Sequence, residues 1–153
     1  MNKVYKVGDA TVTRVTEMTL SGVPPEIYFA GSWDPAFLEK NRDTLPAGLI
    51  DGDSQLVVSI GTWVVKTPDH TILIDTATGN DKNLPYNPEL SNLRLPYLER
   101  LREAGVTPED VDYVLLTHLH VDHVGWNTRL AGGKWVPTFP NATYVFPLSE
   151  QQY

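Results

Sequence analysis

Residues 117–125 of the chain are Thr117-His118-Leu119-His120-Val121-Asp122-His123-Val124-Gly125. This stretch holds three of the four histidines of the 153-residue chain, interleaved with an aspartate. In a chain of this composition, the pattern His-x-His-x-Asp-His arises by chance roughly twice in ten thousand chains. A lone histidine is usually structural, but a cluster of this kind indicates a metal site.

The spacing assigns these side chains to a pair of cations. Residues two apart in an extended segment project to the same side, so His118, His120 and Asp122 are predicted to converge where a strand ends. A bend after Asp122 brings His123 beside it. His118 and His120 then hold one cation, and Asp122 and His123 hold the second. Imidazole nitrogen with carboxylate oxygen suits Zn²⁺, with iron or manganese as alternatives.

Hydrolysis is the chemistry that this ligand set predicts. A divalent metal lowers the pKa of a bound water towards neutrality and so supplies hydroxide. Asp122 is the predicted catalytic residue, which orients the hydroxide and relays a proton to the leaving group. The chain has no cysteine and no Gly-x-Ser-x-Gly motif, so the predicted nucleophile is the metal-bound hydroxide.

The residues around the cluster predict alternating strands and helices. β-branched and apolar runs indicate strands, and apolar spacing with cap residues indicates helices. The alternation is typical of an α/β (α+β) sandwich. The predicted strands are residues 4–7, 10–17, 55–66, 71–75, 111–117 and 143–146, and the predicted helices are residues 93–104, a short one opening at Thr107-Pro108, and one starting at Ser149.

Asp75 and the segment 18–53 lie outside the cluster, and the sequence predicts a role for each. Asp75 closes an apolar strand and needs partners there, because burying an unpaired carboxylate is costly; a plain turn residue is the alternative. Residues 18–53 are rich in proline and glycine, which favours a functional loop or an arm that packs on a partner subunit. Within them Tyr28, Phe29 and Trp33 line either an apolar substrate pocket or an interface.

The charge and apolar content of the chain disfavour nucleic acid and membrane as its partners. Lys and Arg total 12 against 19 Asp and Glu, a formal charge of −7, which disfavours nucleic acid as a partner. No run of 18 or more apolar residues predicts a membrane span, and the N-terminal residues lack the apolar core of a signal peptide. We therefore expect a cytoplasmic protein that acts on a small molecule.

The residues 117–125 resemble the motif of the metallo-β-lactamase-fold superfamily, and Leu73-Ile74-Asp75-Thr76 is similar to its preceding strand motif. The stretches 79–82 and 125–128 resemble its lactonase and organophosphate-hydrolase-like branch. The resemblance implies an αβ/βα sandwich, of which this chain provides roughly the first αβ half. It also implies that His118 and His120 hold the first metal, that Asp122 and His123 hold the second, and that Asp75 steadies the histidine loop.

The sequence departs from the family downstream. The family uses further histidines and a bridging carboxylate there, whereas this chain has no histidine after His123 and its only later acid is Glu150. We therefore expect one domain over residues 1–153 that is truncated at its C-terminus. A second half-domain or a homo-oligomer would complete the site, and the helix start at Ser149 favours the former.

The leading hypothesis is a zinc-dependent hydrolase of esters or lactones, with phosphotriesters as a further substrate class. Within the same fold, a thioesterase or an iron redox protein is the alternative enzyme. A different class of function is a catalytically silent half-domain or interaction module that keeps the motif without the reaction.

Overall fold

The computed structural model describes residues 3–152. The terminal residues of the predicted domain, Met1, Asn2 and Tyr153, lie outside the described residues. The chain divides into two compact units: the first comprises Met1–Glu17 and Ile60–Tyr153, and the second comprises Met18–Ser59. The prediction of a single domain stays a prediction.

Most of the strands form one mixed sheet. Its strands, in sequence order, are β1 (Val4–Val7), β2 (Ala10–Val23), β3 (Leu56–Lys66), β4 (Thr71–Ile74), β5 (Tyr113–Leu115) and β8 (Thr143–Val145). They lie in the order β1-β2-β3-β4-β5-β8. A separate hairpin pairs β6 (Thr128–Ala131) with β7 (Lys134–Pro137). The mixed α/β architecture predicted from the alternating pattern is confirmed.

The middle of the sheet brings two loops to one edge. β3 and β4 are antiparallel, whereas β4 pairs with β5 and β5 pairs with β8 in parallel. Ile74 lies opposite Leu115, each at the carboxyl end of its strand. Loops that follow adjacent parallel strands leave the sheet side by side, and this edge is where α/β folds place ligands.

Helices are short throughout residues 3–152. The α-helices are α1 (Pro25–Tyr28), α2 (Pro35–Asn41), α3 (Tyr97–Glu103) and α4 (Val121–Val124), and 3₁₀ turns cover Pro88–Leu90, Pro108–Asp110, Gly125–Asn127 and Leu148–Gln152. The predicted helix starts at Thr107 and Ser149 therefore correspond to 3₁₀ turns. Gly105 adopts a left-handed φ of 76° just after α3, a conformation that glycine commonly supplies at the end of a helix.

The predicted helix over residues 93–104 begins too early. α3 starts only at Tyr97, because Asn80 holds the segment before it in a non-helical form. The Asn80 side chain accepts a hydrogen bond from the Leu95 N–H at 2.8 Å and donates one to the Leu95 carbonyl at 3.0 Å. Pro96 also disfavours the helical conformation at Leu95.

The predicted loop over residues 18–53 is wrong at its start, since β2 continues through Val23. The end of this strand is fixed by Asp51, whose Oδ2 accepts hydrogen bonds from Ser21 Oγ at 3.1 Å and from the Gly22 N–H at 3.0 Å. This contact is 29 or 30 residues distant in sequence, so local glycine and proline content cannot predict it.

The second unit contains an apolar cavity of about 530 Å³. Phe29 and Trp33 stack in it with ring centroids 5.8 Å apart. Its other aromatic and aliphatic lining residues are Tyr28, Phe37, Leu38, Leu45, Leu49, Ile50, Leu56, Val57 and Val58. This volume is within the range of small-molecule sites. The two predicted uses of these aromatic residues, a substrate pocket and an interface, both stay predictions.

The core of the first unit is apolar and lies against the sheet. Its fully buried side chains include Val15, Val64, Leu73, Tyr97, Leu101, Val114 and Phe139. Trp126 is buried as well and stacks on Tyr97 with ring centroids 5.0 Å apart, as expected of a packing residue. Within residues 3–152, no helix is both long and apolar enough to cross a bilayer.

Candidate metal centre

The histidine cluster follows β5 at the edge of the sheet. His120 is still extended, with φ −67° and ψ 154°, and serves as the N-cap residue of α4. The His123 N–H donates to the His120 carbonyl at 3.0 Å and closes a helical turn. Asp122 therefore lies on a helix, which corrects the prediction that it continues an extended segment. The bend occurs before Asp122 rather than after it.

The three imidazoles nevertheless lie together. The ring centroids of His118 and His120 are 4.5 Å apart, and those of His118 and His123 are 3.9 Å apart. Asp122 Oδ2 lies 3.4 Å from His123 Nε2. The structure thus gathers all four residues that the sequence predicts as ligands, and their role as ligands stays a prediction.

Asp75 lies beneath this cluster, at the end of β4. Its side chain is only 13% exposed and bonds the histidine loop at several atoms. Oδ1 accepts from the Thr117 N–H at 2.7 Å, and Oδ2 accepts from Thr117 Oγ1 at 2.8 Å and contacts His123 Nδ1 at 2.8 Å. Asp75 has a left-handed φ of 58°, a conformation that costs free energy outside glycine and is held here by these contacts.

These contacts determine which ring nitrogens remain available. An ionised carboxylate only accepts, so the Nδ1–H of neutral His123 donates to Asp75 and leaves the Nε2 lone pair free. Thr117 Oγ1 has one proton, which it gives to Asp75. It therefore accepts from His118 Nδ1, 3.0 Å away, and His118 Nε2 is free as well. Asp75 therefore sets the tautomer of His123 directly and that of His118 through the Thr117 hydroxyl.

The donor set fits a metal in part. Two ligands of one tetrahedral zinc ion lie about 3.3–3.4 Å apart, given metal–ligand distances of about 2.0–2.1 Å. The separation of 3.4 Å between Asp122 Oδ2 and His123 Nε2 matches this value. However, no three or more His, Asp or Glu side chains among residues 3–152 converge as a metal-binding group. The described residues therefore supply pairs of donors rather than a closed site.

A cation of the protein lies near the same carboxylate. Burial lowers the pKa of the Arg14 guanidinium, while the charge of Asp75 opposes this shift. The Arg14 side chain also lies over the Trp63 ring at 5.2 Å. Arg14 and Asp75 are therefore close enough to interact electrostatically.

The fourth histidine, His70, lies apart from the cluster. The His70 side chain is 50% exposed and pairs with Asp112, Nδ1 to Oδ2, at 3.8 Å. It lies in the turn between β3 and β4, at the opposite end of β4 from Asp75. His70 therefore offers a matched control for the clustered histidines.

Sequence reasoning missed two glutamates that hold the loops of this centre. Glu150 Oε2 accepts a hydrogen bond from the Leu119 N–H at 3.0 Å, between the two histidines. Glu17 is fully buried beneath the loop after β4. A signal for Glu17 was present: it continues the alternation of Thr13 and Val15, both buried, and so falls on the core face of β2. Glu150 has no such local signal.

Comparisons with known proteins agree on the family. Residues 57–152 match the family model of the Metallo-beta-lactamase superfamily. The N-acyl homoserine lactonase AiiB of Agrobacterium fabrum is 31% identical over 100 residues, which cover 58% of this chain and 34% of that protein. The chain therefore matches about a third of the length of this curated relative.

Two solved structures resemble nearly the whole chain. The hydrolase AbOPH, in the beta lactamase superfamily, has a TM-score of 0.70 and 26% identity. AidC, a dizinc quorum-quenching lactonase in complex with a product, N-hexnoyl-L-homoserine, has a TM-score of 0.70 and 25% identity. Each match covers 99% of this chain and 46% of the other chain.

Proposed function

This chain belongs to the metallo-β-lactamase superfamily, and from that membership we propose that it forms part of a zinc-dependent hydrolase that opens small lactones. The observation that carries the proposal is the Asp75 carboxylate, which bonds His123 Nδ1 and leaves Nε2 free 3.4 Å from Asp122 Oδ2. The lactonase names of AiiB and AidC support the lactone as the substrate class. Simple esters and phosphotriesters are the wider class.

In this proposal each residue of the cluster has a stated task. His118 and His120 hold one zinc ion, and Asp122 and His123 hold the second. Asp75 and Thr117 keep the metal-facing nitrogens of His118 and His123 unprotonated. Bound zinc supplies Lewis acidity, which activates water and polarises the ester carbonyl. Further ligands come from a second polypeptide segment or from another copy of the chain.

Asp122 carries the proton in the proposed reaction. The oxygen of water attacks the lactone carbonyl carbon, and the Asp122 carboxylate takes the proton that this water loses. The ring C–O bond then breaks, and Asp122 returns the proton to the departing alkoxide oxygen. The products are a carboxylic acid, which keeps the second proton of the water, and an alcohol within one molecule. The carboxylic acid then ionises at neutral pH, so that lactone opening releases one proton.

The remaining predictions about context belong to the same proposal. An acidic chain with a formal charge of −7 favours an uncharged small molecule over a nucleic acid as substrate. The proposal also places the protein in the cytoplasm. It assigns the chain a second half-domain, or another copy of itself, as its partner.

A second candidate function is a catalytically silent half-domain. It is favoured by the lack of any group of three or more converging ligands among residues 3–152. Under this alternative the chain keeps zinc-binding donor pairs but has no turnover.

The test compares wild type with His118→Ala/His120→Ala and with His70→Ala. We expect wild-type protein to hold about two zinc ions per complete site by elemental analysis. It should also open N-hexanoyl-homoserine lactone, followed as acid release in a pH-stat. The double variant should lose most of its zinc and all turnover above background, whereas His70→Ala should match wild type.

Each result decides between the candidates. Zinc uptake without turnover in the wild-type chain would support the silent half-domain. Iron as the sole metal, with no lactone opening, would overturn the zinc lactonase. Unchanged metal content and turnover in the double variant would remove the histidine cluster from the mechanism.

A further inference from the structure

Glu17 is a carboxylate with no contact to solvent. It lies on β2 with a relative exposure of 0%, although glutamate is almost never fully buried unless its charge is compensated. Three N–H groups compensate it. Oε2 accepts from the Thr78 N–H at 2.8 Å, and Oε1 accepts from the Gly79 N–H at 3.0 Å and from the Trp126 indole N–H at 2.6 Å. Such charge-assisted hydrogen bonds are the strong ones.

The loop that Glu17 holds is strained. Asp75, Ala77 and Gly79 have φ values of 58°, 49° and 82°, so that left-handed residues recur along residues 75–79. Successive backbone N–H groups in such a turn, here those of Thr78 and Gly79, form an anion-binding concavity. The Glu17 carboxylate occupies that concavity. Arg100 in turn fixes β2 here, since its Nη1 donates to the Thr16 carbonyl at 3.0 Å.

The same loop is joined to the segment that follows the histidine cluster. The Thr76 N–H donates to the His123 carbonyl at 2.7 Å, the Gly125 N–H donates to the Ala77 carbonyl at 2.7 Å, and the Trp126 N–H donates to the Thr76 carbonyl at 2.9 Å. We call residues 75–79 and 123–127, joined by these bonds, the paired loops. Glu17 bonds both of them, through Thr78 and Gly79 on one side and Trp126 on the other.

The pair Asp75–His123 lies at one end of the paired loops. The distance of 2.8 Å between Asp75 Oδ2 and His123 Nδ1 depends on how closely the first residues of the two paired loops approach each other. We propose that Glu17 is a positioning residue for the candidate metal centre: by fastening the paired loops from the buried side, it holds Asp75 at hydrogen-bond distance from His123. This inference rests on the metal site of the proposed function.

Glu17→Gln is the direct test, because it keeps the size of the side chain. Glutamine has one acceptor oxygen, so at least one of the three N–H groups faces an amide NH₂ instead. In metal-free protein at about pH 8.5, where histidine is neutral, we expect the hydrogen-bonded His123 Nδ1–H signal in the NMR spectrum to shift or exchange away. We also expect zinc affinity, from competition with a chelator, to fall about 10–100-fold, as for other residues that orient ligands.

Two further variants keep the test decisive. Val106→Ala removes a buried side chain of the same unit that takes no part in the paired loops, and it should keep both the Nδ1–H signal and zinc affinity despite its lower stability. Trp126→Phe removes one of the three donors to Glu17. It should give a smaller change in the same direction as Glu17→Gln, and it serves in its place if that variant does not fold.

The outcomes separate this inference from the proposed function. If the variants at Glu17 and Trp126 have lower unfolding midpoints but wild-type zinc affinity and an unmoved His123 signal, Glu17 is merely structural and the inference is overturned. If wild-type protein binds no zinc, the proposed function fails. The His123 signal then still decides, without metal, whether Glu17 positions this pair.

Discussion

Among single residues, Asp75 has the widest influence on the candidate metal centre. It contacts His123 directly and reaches His118 through the Thr117 hydroxyl. Replacing Asp75 would therefore disturb a predicted ligand of each of the two predicted cations. A loss at His118 or His123 would remove a predicted ligand from one predicted cation alone.

Asp75→Asn should weaken metal binding without unfolding the protein. Asparagine has one acceptor oxygen, so the Nδ1–H of His123 or a Thr117 donor must face an amide NH₂. We expect zinc affinity to fall about 10–100-fold in a chelator competition. Asp112→Asn is the matched control, because Asp112 also pairs with a histidine, His70, but at the other end of β4. Equal zinc affinity in both variants would show that Asp75 does not orient the ligands.

Gly125 is a residue whose role is steric. Its backbone is right-handed helical, with φ −61° and ψ −46°, so alanine is conformationally acceptable there. A Cβ atom, however, would lie 1.7 Å from the Thr78 carbonyl oxygen, which is backbone and cannot swing away. The close approach of the paired loops therefore requires glycine at this position.

Gly125→Ala should lower the free energy of unfolding by about 1–3 kcal/mol or more, the usual cost of inserting a methyl group into a packed site. Urea unfolding measures the loss. Gly52→Ala is the control, since no atom lies within 4 Å of the added Cβ and its φ is not left-handed. It should change stability by less than about 1 kcal/mol. A similar small change in Gly125→Ala would mean that the paired loops are further apart than in this structure.

At the scale of the elements, the strands were more predictable than the helices. β3 begins one residue after its prediction and ends at the predicted residue, since its β-branched and aromatic residues fit a sheet. α3 begins four residues late, because the Asn80 side chain, 15 residues away from Leu95, holds the segment before it. A contact of that span has no trace in the local apolar spacing.

In the candidate metal centre, too, the local features were predictable from the sequence and the long-range contacts were not. The four clustered side chains were predictable, because a short motif brings its own residues together. The bend at His120, where α4 begins, was predicted two residues late. Glu17 was missed because its partners lie 61, 62 and 109 residues away. Long-range hydrogen bonds of this kind depend on how the strands are ordered in the sheet.

The turn Pro108–Asp110 is an element whose stability should depend on pH. Asp110 Oδ2 accepts from the Thr107 N–H at 2.8 Å and from Thr107 Oγ1 at 2.7 Å. The backbone hydrogen bond, followed by the hydroxyl one, holds the pKa of Asp110 below its ordinary value of 3.8. A carboxylate with a lowered pKa in the folded state stabilises the fold above its unfolded pKa, and this stabilisation is lost as pH falls through the folded pKa.

Asp110→Asn should therefore unfold at lower urea concentration than wild type at pH 7, and the difference should close below about pH 3.8. Urea midpoints measured across this range test the sign. Glu109→Gln is the control, since it removes the same charge one residue earlier. If Glu109→Gln reproduces the pH dependence, net charge rather than the Thr107 contact is responsible.

On the scale of the whole molecule, the candidate metal centre combines distant parts of the first unit. Glu17 comes from β2, Asp75 from the end of β4, and the histidines from the segment between β5 and α4. Hydrogen bonds join these segments: Glu17 accepts from the Thr78 N–H, Asp75 accepts from the Thr117 N–H, and the Thr76 N–H donates to the His123 carbonyl. Metal binding at this centre would therefore be linked to the folding of this unit, because any species that binds the folded state alone raises its stability.

Zinc should consequently raise the thermal stability of the protein. At a free concentration of about 100 times Kd, the gain is about 2.7 kcal/mol, which corresponds to about 5–11 °C in Tm for a chain of this length. We expect His123→Ala to lose part of this shift, because the second predicted cation would then keep Asp122 alone among the described residues. His70→Ala should keep the shift, since that side chain is half exposed in a distant turn. An equal zinc-induced shift in both variants would mean that the metal binds outside the cluster, and the link between the histidines and the fold of this unit would then be lost.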